Sequence, residues 1–458
     1  MSEILQKIRN RTATAVVIGL GYVGLSVAVE AARASYLVYG IDIDQDKVDQ
    51  LQSGKSYVSD IKDEDIQTLI HQRLHAVNEF SSIAEADVVI ICLPTPLNKT
   101  REPDVSMISS AVASIIQYVT KDTLIILEST TYPGTTEELI QKVIEDEMGW
   151  KAGKDFFVCY SPERIDPGNR KFNVKNTPKI IGGISPVCAE LGAQFYGSFL
   201  QEVIPVSSTA AAEMVKLLEN TFRSVNIALV NELTLMCDRM GINIWEIIDA
   251  ASSKPFGYIP FFPGPGIGGH CIPIDPIYLS WRAKMFGFHN KFIELADDIN
   301  SNMPRYVVSQ ITDILNEYEK PLKNSNILCI GMAYKKDVND LRESPALEVF
   351  KLLQQKEANV TYYDPHIPHF KNDGQMVYSV ELTSEAIAEA DLVVIITDHS
   401  SIDYPLIVEN AALLYDTRNV TKPLEGNIML LGGHKRYGNT FLRDEIFQTD
   451  MEGRDSFD

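Results

Sequence analysis

The chain has 458 residues, 45% hydrophobic and 22% charged, with a formal net charge of -21 and a pI near 4.8. That length implies two or three domains with sizeable cores, and so acidic a surface opposes binding to nucleic acid or anionic lipid. No apolar run reaches the length of a membrane span. The opening MSEILQKIRN carries charges on both sides of its apolar residues and is not a signal peptide, so the cytoplasm is the expected address.

The first segment alternates short apolar strands with helical stretches. ATAVVIGLGYVG reads as a buried strand and a glycine-rich turn, and LSVAVEAARASY continues as a helix. YLVYGIDID, ADVVIICLPTP and DTLIILEST are further strands, so residues 1–199 are expected to form a parallel, doubly wound α/β domain. Within it Gly19-Leu20-Gly21-Tyr22-Val23-Gly24 follows a strand and opens a helix, and Asp42 ends the next strand eighteen residues after Gly24. This context is that of a dinucleotide fingerprint. Gly19 permits the tight turn, Gly21 the approach of a pyrophosphate and Gly24 the close helix–strand contact. Asp42 would accept hydrogen bonds from the ribose hydroxyls and repel a 2′-phosphate, favouring NAD over NADP.

A long helical pattern follows from Ser208 or Thr209, as cap, to Gly241. Its length suits a link between domains or a subunit interface. Residues 200–323 are expected to form a helical connector, interrupted by the Gly/Pro-dense loop KPFGYIPFFPGPGIGGHCIPIDP. Strand–helix alternation returns over residues 324–458 in NSNILCIGMAYK, a helix from Ser344, NVTYYDP, ADLVVIITDH and AALLYDTRN. The expected architecture is two Rossmann-like domains joined by a long central helix and a helical connector domain. The second domain has Lys335 where a further glycine would stand, so it should bind a different anion. The polar tail after Arg443 is expected to fray.

Six cysteines occur without CxxC pairs, so neither a disulfide framework nor a metal site is expected. Cys92, Cys159 and Cys329 sit in apolar runs and read as buried hydrophobes. Cys271 differs, because four glycines precede it between Gly264 and Gly269. Such a loop frees backbone amides to converge on a ligand, which suits a nucleophile in acyl chemistry; the alternative is a flexible hinge with an incidental thiol. Lys216 and Asn220, spaced i, i+4, share a helix face and could donate to an oxyanion or simply be solvated. Glu163, Thr95 and Thr130 follow strand ends, where α/β enzymes place functional groups and where polar residues are also ordinary.

GLGYVG, CLPTP, EST–PGTT, YSPER, AAEMVKLLEN, GIGGHCIPIDP and GMAYKKDVNDLRESPA, in that order, resemble the UDP-glucose/GDP-mannose dehydrogenase family across nearly the whole chain. SPER, the glycine–proline loop and DTRN look most like the branch acting on UDP-N-acetylglucosamine. The resemblance implies an NAD-dependent, four-electron oxidation of a UDP-sugar at C6, through a thiohemiacetal and a thioester on Cys271. Lys216 and Asn220 would steady the oxyanion, while Glu163, Asp275 and Thr130 would handle protons and orient water. Tyr22, Val23, Asp42, Lys47, Thr95, Thr130 and Arg342 would surround NAD.

Pro260, Phe261, Phe262, Pro263, Gly264 and Gly268, with Lys335, would hold the UDP-sugar, and Glu163, Glu213, Lys216, Asn220 and Arg418 are further candidates. A homodimer or larger homo-oligomer is implied as well. UDP-glucose enzymes typically carry a second glutamate where this chain has Pro167 and a lysine where it has Ile274; both changes mark an acetamido-sugar branch. UDP-N-acetylmannosamine, UDP-N-acetylgalactosamine and UDP-glucose remain alternative substrates. A two-electron alcohol dehydrogenase and a non-catalytic NAD- or UDP-sugar-binding protein are the alternatives in mechanism.

Overall fold

The computed structural model describes residues 3–58, 61–165 and 171–433; Pro167 and the tail after Arg443 lie outside them. The chain divides into two compact units, Met1–Phe222 with Ile274–Ile293 and Arg223–Pro273 with Glu294–Asp458.

The first unit is built on eight strands: β1 Thr14–Ile18, β2 Leu37–Ile41, β3 Leu74–Val77, β4 Val88–Ile91, β5 Leu124–Leu127, β6 Phe157–Tyr160, β7 Lys179–Gly183 and β8 Val203–Val206. Their order is β3-β2-β1-β4-β5-β6-β7-β8. Every pairing is parallel except β6 with β7. The central strands β1, β4, β5 and β6 are near-continuously apolar because both faces are covered. Ala15 and Val17 of β1 enter one core cluster, and Val16 and Ile18 enter the other. The order reverses between β1 and β4, and the crevice beyond the carboxyl ends of those strands is where such sheets bind ligands.

A 32-residue helix, Thr209–Met240, starts at the expected cap and stops at Gly241, whose φ of 67° suits glycine after a helix end. At the usual rise it is about 48 Å long.

In the second unit the strands are β9 Asn326–Ile330, β10 Asn359–Tyr363, β11 His369–Asn372, β12 Gln375–Tyr378, β13 Leu392–Ile395, β14 Leu414–Asp416 and β15 Ile428–Leu430. Five form a parallel sheet in the order β10-β9-β13-β14-β15, and β11 and β12 make a separate antiparallel hairpin. Ser344 caps the helix Pro345–Gln355, accepting from the Ala346 N–H at 3.3 Å. This is a second doubly wound domain, as expected. Among the described residues no helix is long and apolar enough to cross a membrane.

Candidate active site

The glycine turn of the first unit is built by contacts that exclude side chains. Gly19 has a φ of 91°, and a Cβ there would stand 2.6 Å from the Cys92 carbonyl oxygen; a Cβ on Gly24 would stand 1.8 Å from the Gly19 carbonyl oxygen. Gly21 is different, because nothing lies within 4 Å of where its Cβ would be. It caps the helix Tyr22–Arg33 without a side-chain hydrogen bond. Tyr22 and Val23 form the first turn, so the positive end of the helix opens onto space.

Asp42 is buried just past β2. One of its oxygens accepts the Leu20 N–H at 2.9 Å and faces the Lys47 ammonium at 3.3 Å, while the other accepts the Asp44 N–H at 3.0 Å. The carboxylate is thus fixed against the turn that a dinucleotide would straddle. These residues fit NAD.

The second Rossmann-like domain repeats the device and spends it internally. Gly331 has a φ of 84°, and a Cβ there would stand 2.1 Å from the Thr397 carbonyl oxygen. Asp364, the counterpart of Asp42, accepts the Met332 and Ala333 N–H groups at 2.6 and 2.9 Å and faces His399 Nε2 at 3.1 Å. That carboxylate has little capacity left for a ribose. Asp337, His366 and His399 bring their potential ligand atoms within 4.8 Å of one another. Yet His399 Nδ1 accepts the Asp337 N–H at 2.9 Å, which makes Nε2 the donor to Asp364. With both its ring nitrogens engaged, His399 braces the turn against the end of β13 and has no lone pair left for a metal.

Several predicted residues meet within the first unit. Thr95 donates its hydroxyl to the Thr130 carbonyl at 2.7 Å, joining the ends of β4 and β5. Asn220, 3% exposed, donates to the carboxylate of Asp275, 1% exposed, across 55 residues of sequence. Asp275 opens the helix Asp275–Met285. Lys216 is buried one turn before Asn220 on the same helix. Glu163 accepts the N–H of Ile165, and its other oxygen lies 3.6 Å from Lys179.

Glu213, fully buried, accepts the Thr136 N–H at 2.9 Å, the Thr136 hydroxyl at 2.7 Å and the Gly134 N–H at 2.6 Å. Burial outweighs those donors and pushes its pKa up to about 7. The folded state therefore keeps a proton that the unfolded chain releases near 4.5. Its contribution to stability is complete below 4.5 and is lost as pH rises through 7, up to about 3 kcal/mol. Glu213→Gln is expected to flatten this slope of unfolding free energy between pH 5 and 8 by urea titration; an unchanged slope refutes the shift.

The remaining predicted residues lie in the second unit. The loop before Cys271 rests on the turn after β9. A Cβ on Gly268 would stand 2.7 Å from the Glu343 carbonyl oxygen, and one on Gly269 would stand 2.7 Å from the Tyr334 ring. The Gly269 N–H donates to the Arg342 carbonyl at 2.9 Å. Gly264 faces the Arg418 guanidinium, where a Cβ would stand 2.5 Å from Nη1.

Arg418 also donates from Nε to the Ile396 carbonyl at 2.7 Å. Arg342 forks onto Asp340 at 2.6 to 3.0 Å. Pro263 and Gly264 are buried, Pro260 and Phe262 exposed, Phe261 and Gly268 half-buried. Lys335 lies in the turn between β9 and the helix Pro345–Gln355. Cys271 is half-buried, unlike Cys159, Cys188, Cys237 and Cys329.

Two polar networks were not anticipated from sequence. Asn231 donates to Asn300 at 2.9 Å and accepts the Gly264 N–H at 3.1 Å, and Asn300 donates to the Ser224 carbonyl at 3.1 Å, pinning the start of the cysteine loop. The other joins Lys179, Glu128 and Tyr196 inside the first unit. Isolated Asn or Lys residues in apolar segments were the available signal, and they name no partner.

Three family models match in chain order: the NAD binding domain of the UDP-glucose/GDP-mannose dehydrogenase family over residues 13–200, its central domain over 210–302 and its UDP binding domain over 328–423. The UDP-N-acetyl-D-mannosamine dehydrogenase of Methanococcus maripaludis is 35% identical over 88% of this chain and 92% of its own. The solved UDP-D-ManNAc dehydrogenase of Pyrococcus horikoshii superposes with a TM-score of 0.83 at 32% identity, covering 92% of this chain and 99% of its own. The NDP-N-acetyl-D-galactosaminuronic acid dehydrogenase of Methanosarcina mazei gives 0.79 at 28%, covering 95% and 98%. The chain belongs to the UDP-glucose/GDP-mannose dehydrogenase family and is an NAD-binding nucleotide-sugar dehydrogenase.

Proposed function

We propose that this chain oxidises the C6 alcohol of UDP-N-acetylglucosamine to the uronate, with Cys271 as covalent nucleophile. NAD, when bound, accepts the hydride in each of two successive oxidations. After the first, the Cys271 thiolate adds to the C6 aldehyde to give a thiohemiacetal. After the second, C6 is a thioester; water attacks it, the carbon–sulfur bond breaks and the thiolate returns. Each turnover converts one alcohol and one water to a carboxylic acid and passes two hydrides and two protons onward. Lys216 and Asn220 steady the oxygen that becomes anionic, and Glu163, Asp275 and Thr130 manage the proton and the attacking water.

The observation that carries the reading is the buried Asn220–Asp275 hydrogen bond. It brings an amide and a carboxylate, both proposed from sequence, to one point in the fold, and Asp275 lies four residues from the cysteine in the chain. In the proposed complex Gly19, Gly21, Gly24, Asp42, Lys47, Thr95 and Arg342 surround NAD. The loop from Pro260 to Gly268, with Lys335 and Arg418, takes the UDP-sugar. The helix Thr209–Met240 exposes Leu218, Phe222, Leu229, Met236 and Met240, which supports a homodimer through this helix. Substrates of this kind imply a cytoplasmic enzyme.

UDP-N-acetylmannosamine is the second reading, favoured by the names of the two relatives above that act on it; it differs only in configuration at C2. A panel of UDP-N-acetylhexosamines and UDP-glucose, followed by NADH absorbance and product mass, tests both. Two NADH per sugar and a gained carboxylate are expected, with UDP-N-acetylglucosamine the best substrate. One NADH per sugar would refute the four-electron reaction, and a preference for the manno epimer would select the second reading.

A further inference from the structure

The single antiparallel pairing of the eight-stranded sheet has a local consequence at Glu163. Because β7 runs against β6, its first residue, Lys179, falls beside the SPER turn that follows β6. The Ser161 hydroxyl donates to the Ile180 carbonyl at 2.7 Å and ties the two together. The Lys179 ammonium, 8% exposed, lies 2.9 Å from Glu128 and 3.6 Å from Glu163, whose side chains are 0% and 9% exposed. The Tyr196 hydroxyl closes the network by donating to the other Glu128 oxygen, and the ammonium sits 5.2 Å from the centre of the Tyr196 ring.

We propose that Lys179 is a positioning residue for the oxidation, holding the Glu163 carboxylate fixed in orientation. The inference rests on the role given to Glu163 above. One ammonium between two buried carboxylates balances only one of them, so Glu163 and Glu128 share it, and Tyr196 takes up part of the demand of Glu128. Burial opposes the Lys179 charge, but Glu128 and Glu163 outweigh it and hold its pKa above the ordinary lysine value. Among the described residues, other titratable groups of this network are Cys92 just past β4, which feels Glu128, Lys179 and Glu163, and Tyr196 on the helix Pro186–Gly197, which feels Glu128. The neighbouring Arg164 is taken by Glu219 at 2.7 Å. Cys92 is kept protonated by burial and by Glu128, and among the described residues Lys179 is the cation paired with Glu163.

The test is the split between kcat and KM for UDP-sugar oxidation by the full-length protein. Lys179→Met strands Glu128 as a buried unpaired charge and risks misfolding. The deciding variant is therefore Glu128→Gln with Lys179→Met, which removes both charges of the inner pair and leaves Glu163 alone. Its kcat at pH 7 is expected about 10-fold lower, with both KM values within about 2-fold. Glu128→Gln alone, retaining the lysine, should leave kcat within about 2-fold of the native value.

In a Glu163→Gln background the double change should add less than about 2-fold. A double variant with native kcat would make Lys179 a mere counter-ion of Glu128 and overturn the proposal. Should Glu163→Gln itself keep native kcat, the role of Glu163 fails, and this inference with it. An impaired Glu163→Gln beside a native double variant overturns only the inference.

Discussion

Cys271→Ser is expected to lower uronate formation by about 10³-fold or more while leaving the NAD dissociation constant within about 2-fold. The first hydride transfer needs no thiol, so a single-turnover experiment should show at most one NADH per site and an aldehyde-level product. The second oxidation requires that an anionic nucleophile first add to the aldehyde, as a thiolate does, and a serine hydroxyl is scarcely ionised at neutral pH. The rest of the cysteines are poor substitutes. Burial drives Cys92 and Cys159 well above the ordinary thiol range and Cys329 up to about 12, leaving almost no thiolate at pH 7. Cys271 alone follows a loop of glycines held by backbone contacts. Steady uronate production by the serine variant at the native rate would remove the thiol from the mechanism.

The parts of this molecule governed by local physics were legible in its sequence. GLGYVG announced its strand, turn and helix because Gly19 and Gly24 answer nearby backbone clashes, and the 32-residue helix declared both ends through its Ser208 cap and Gly241. The strands β1, β2, β4, β5, β9 and β13 were visible as unbroken apolar runs. Strands β3 and β8 were not: LHAV is four residues long, and VIPV carries Pro205 at an exposed sheet edge. Strand β7 hid behind its lysine, since a charged first residue and two terminal glycines read as a loop.

The same limit applies to the site. Asn220, Lys216 and Asp275 could be named because they fall in motifs or at helical spacing, whereas Asn231–Asn300 and Lys179–Glu128–Tyr196 are pairings set by topology. The direction of β7, which no local pattern encodes, decides what Lys179 touches.

The two later glycines of the fingerprint should separate folding from binding when each is changed to alanine. At Gly24 the new Cβ would meet the Gly19 carbonyl oxygen at 1.8 Å and its carbon at 3.0 Å, both main-chain atoms of a turn itself wedged against Cys92. Neither side can yield without moving the helix off β1. Gly24→Ala should therefore cost about 2–4 kcal/mol, lowering the melting temperature by roughly 5–10 °C and weakening NAD binding as a consequence.

Gly21 has a φ of -66°, which alanine adopts without strain, and open space where the Cβ would go. Gly21→Ala should melt within about 1 °C of the parent, since no contact is lost or forced. Its NAD affinity should nevertheless fall at least about 10-fold, because the methyl occupies the approach of the pyrophosphate to the helix amides. Thermal melts and NAD titrations on the two variants read out the pair. If Gly21→Ala binds NAD as the parent does, the open space before the helix is not where the pyrophosphate lies, and the dinucleotide must be placed elsewhere on the carboxyl edge of the sheet.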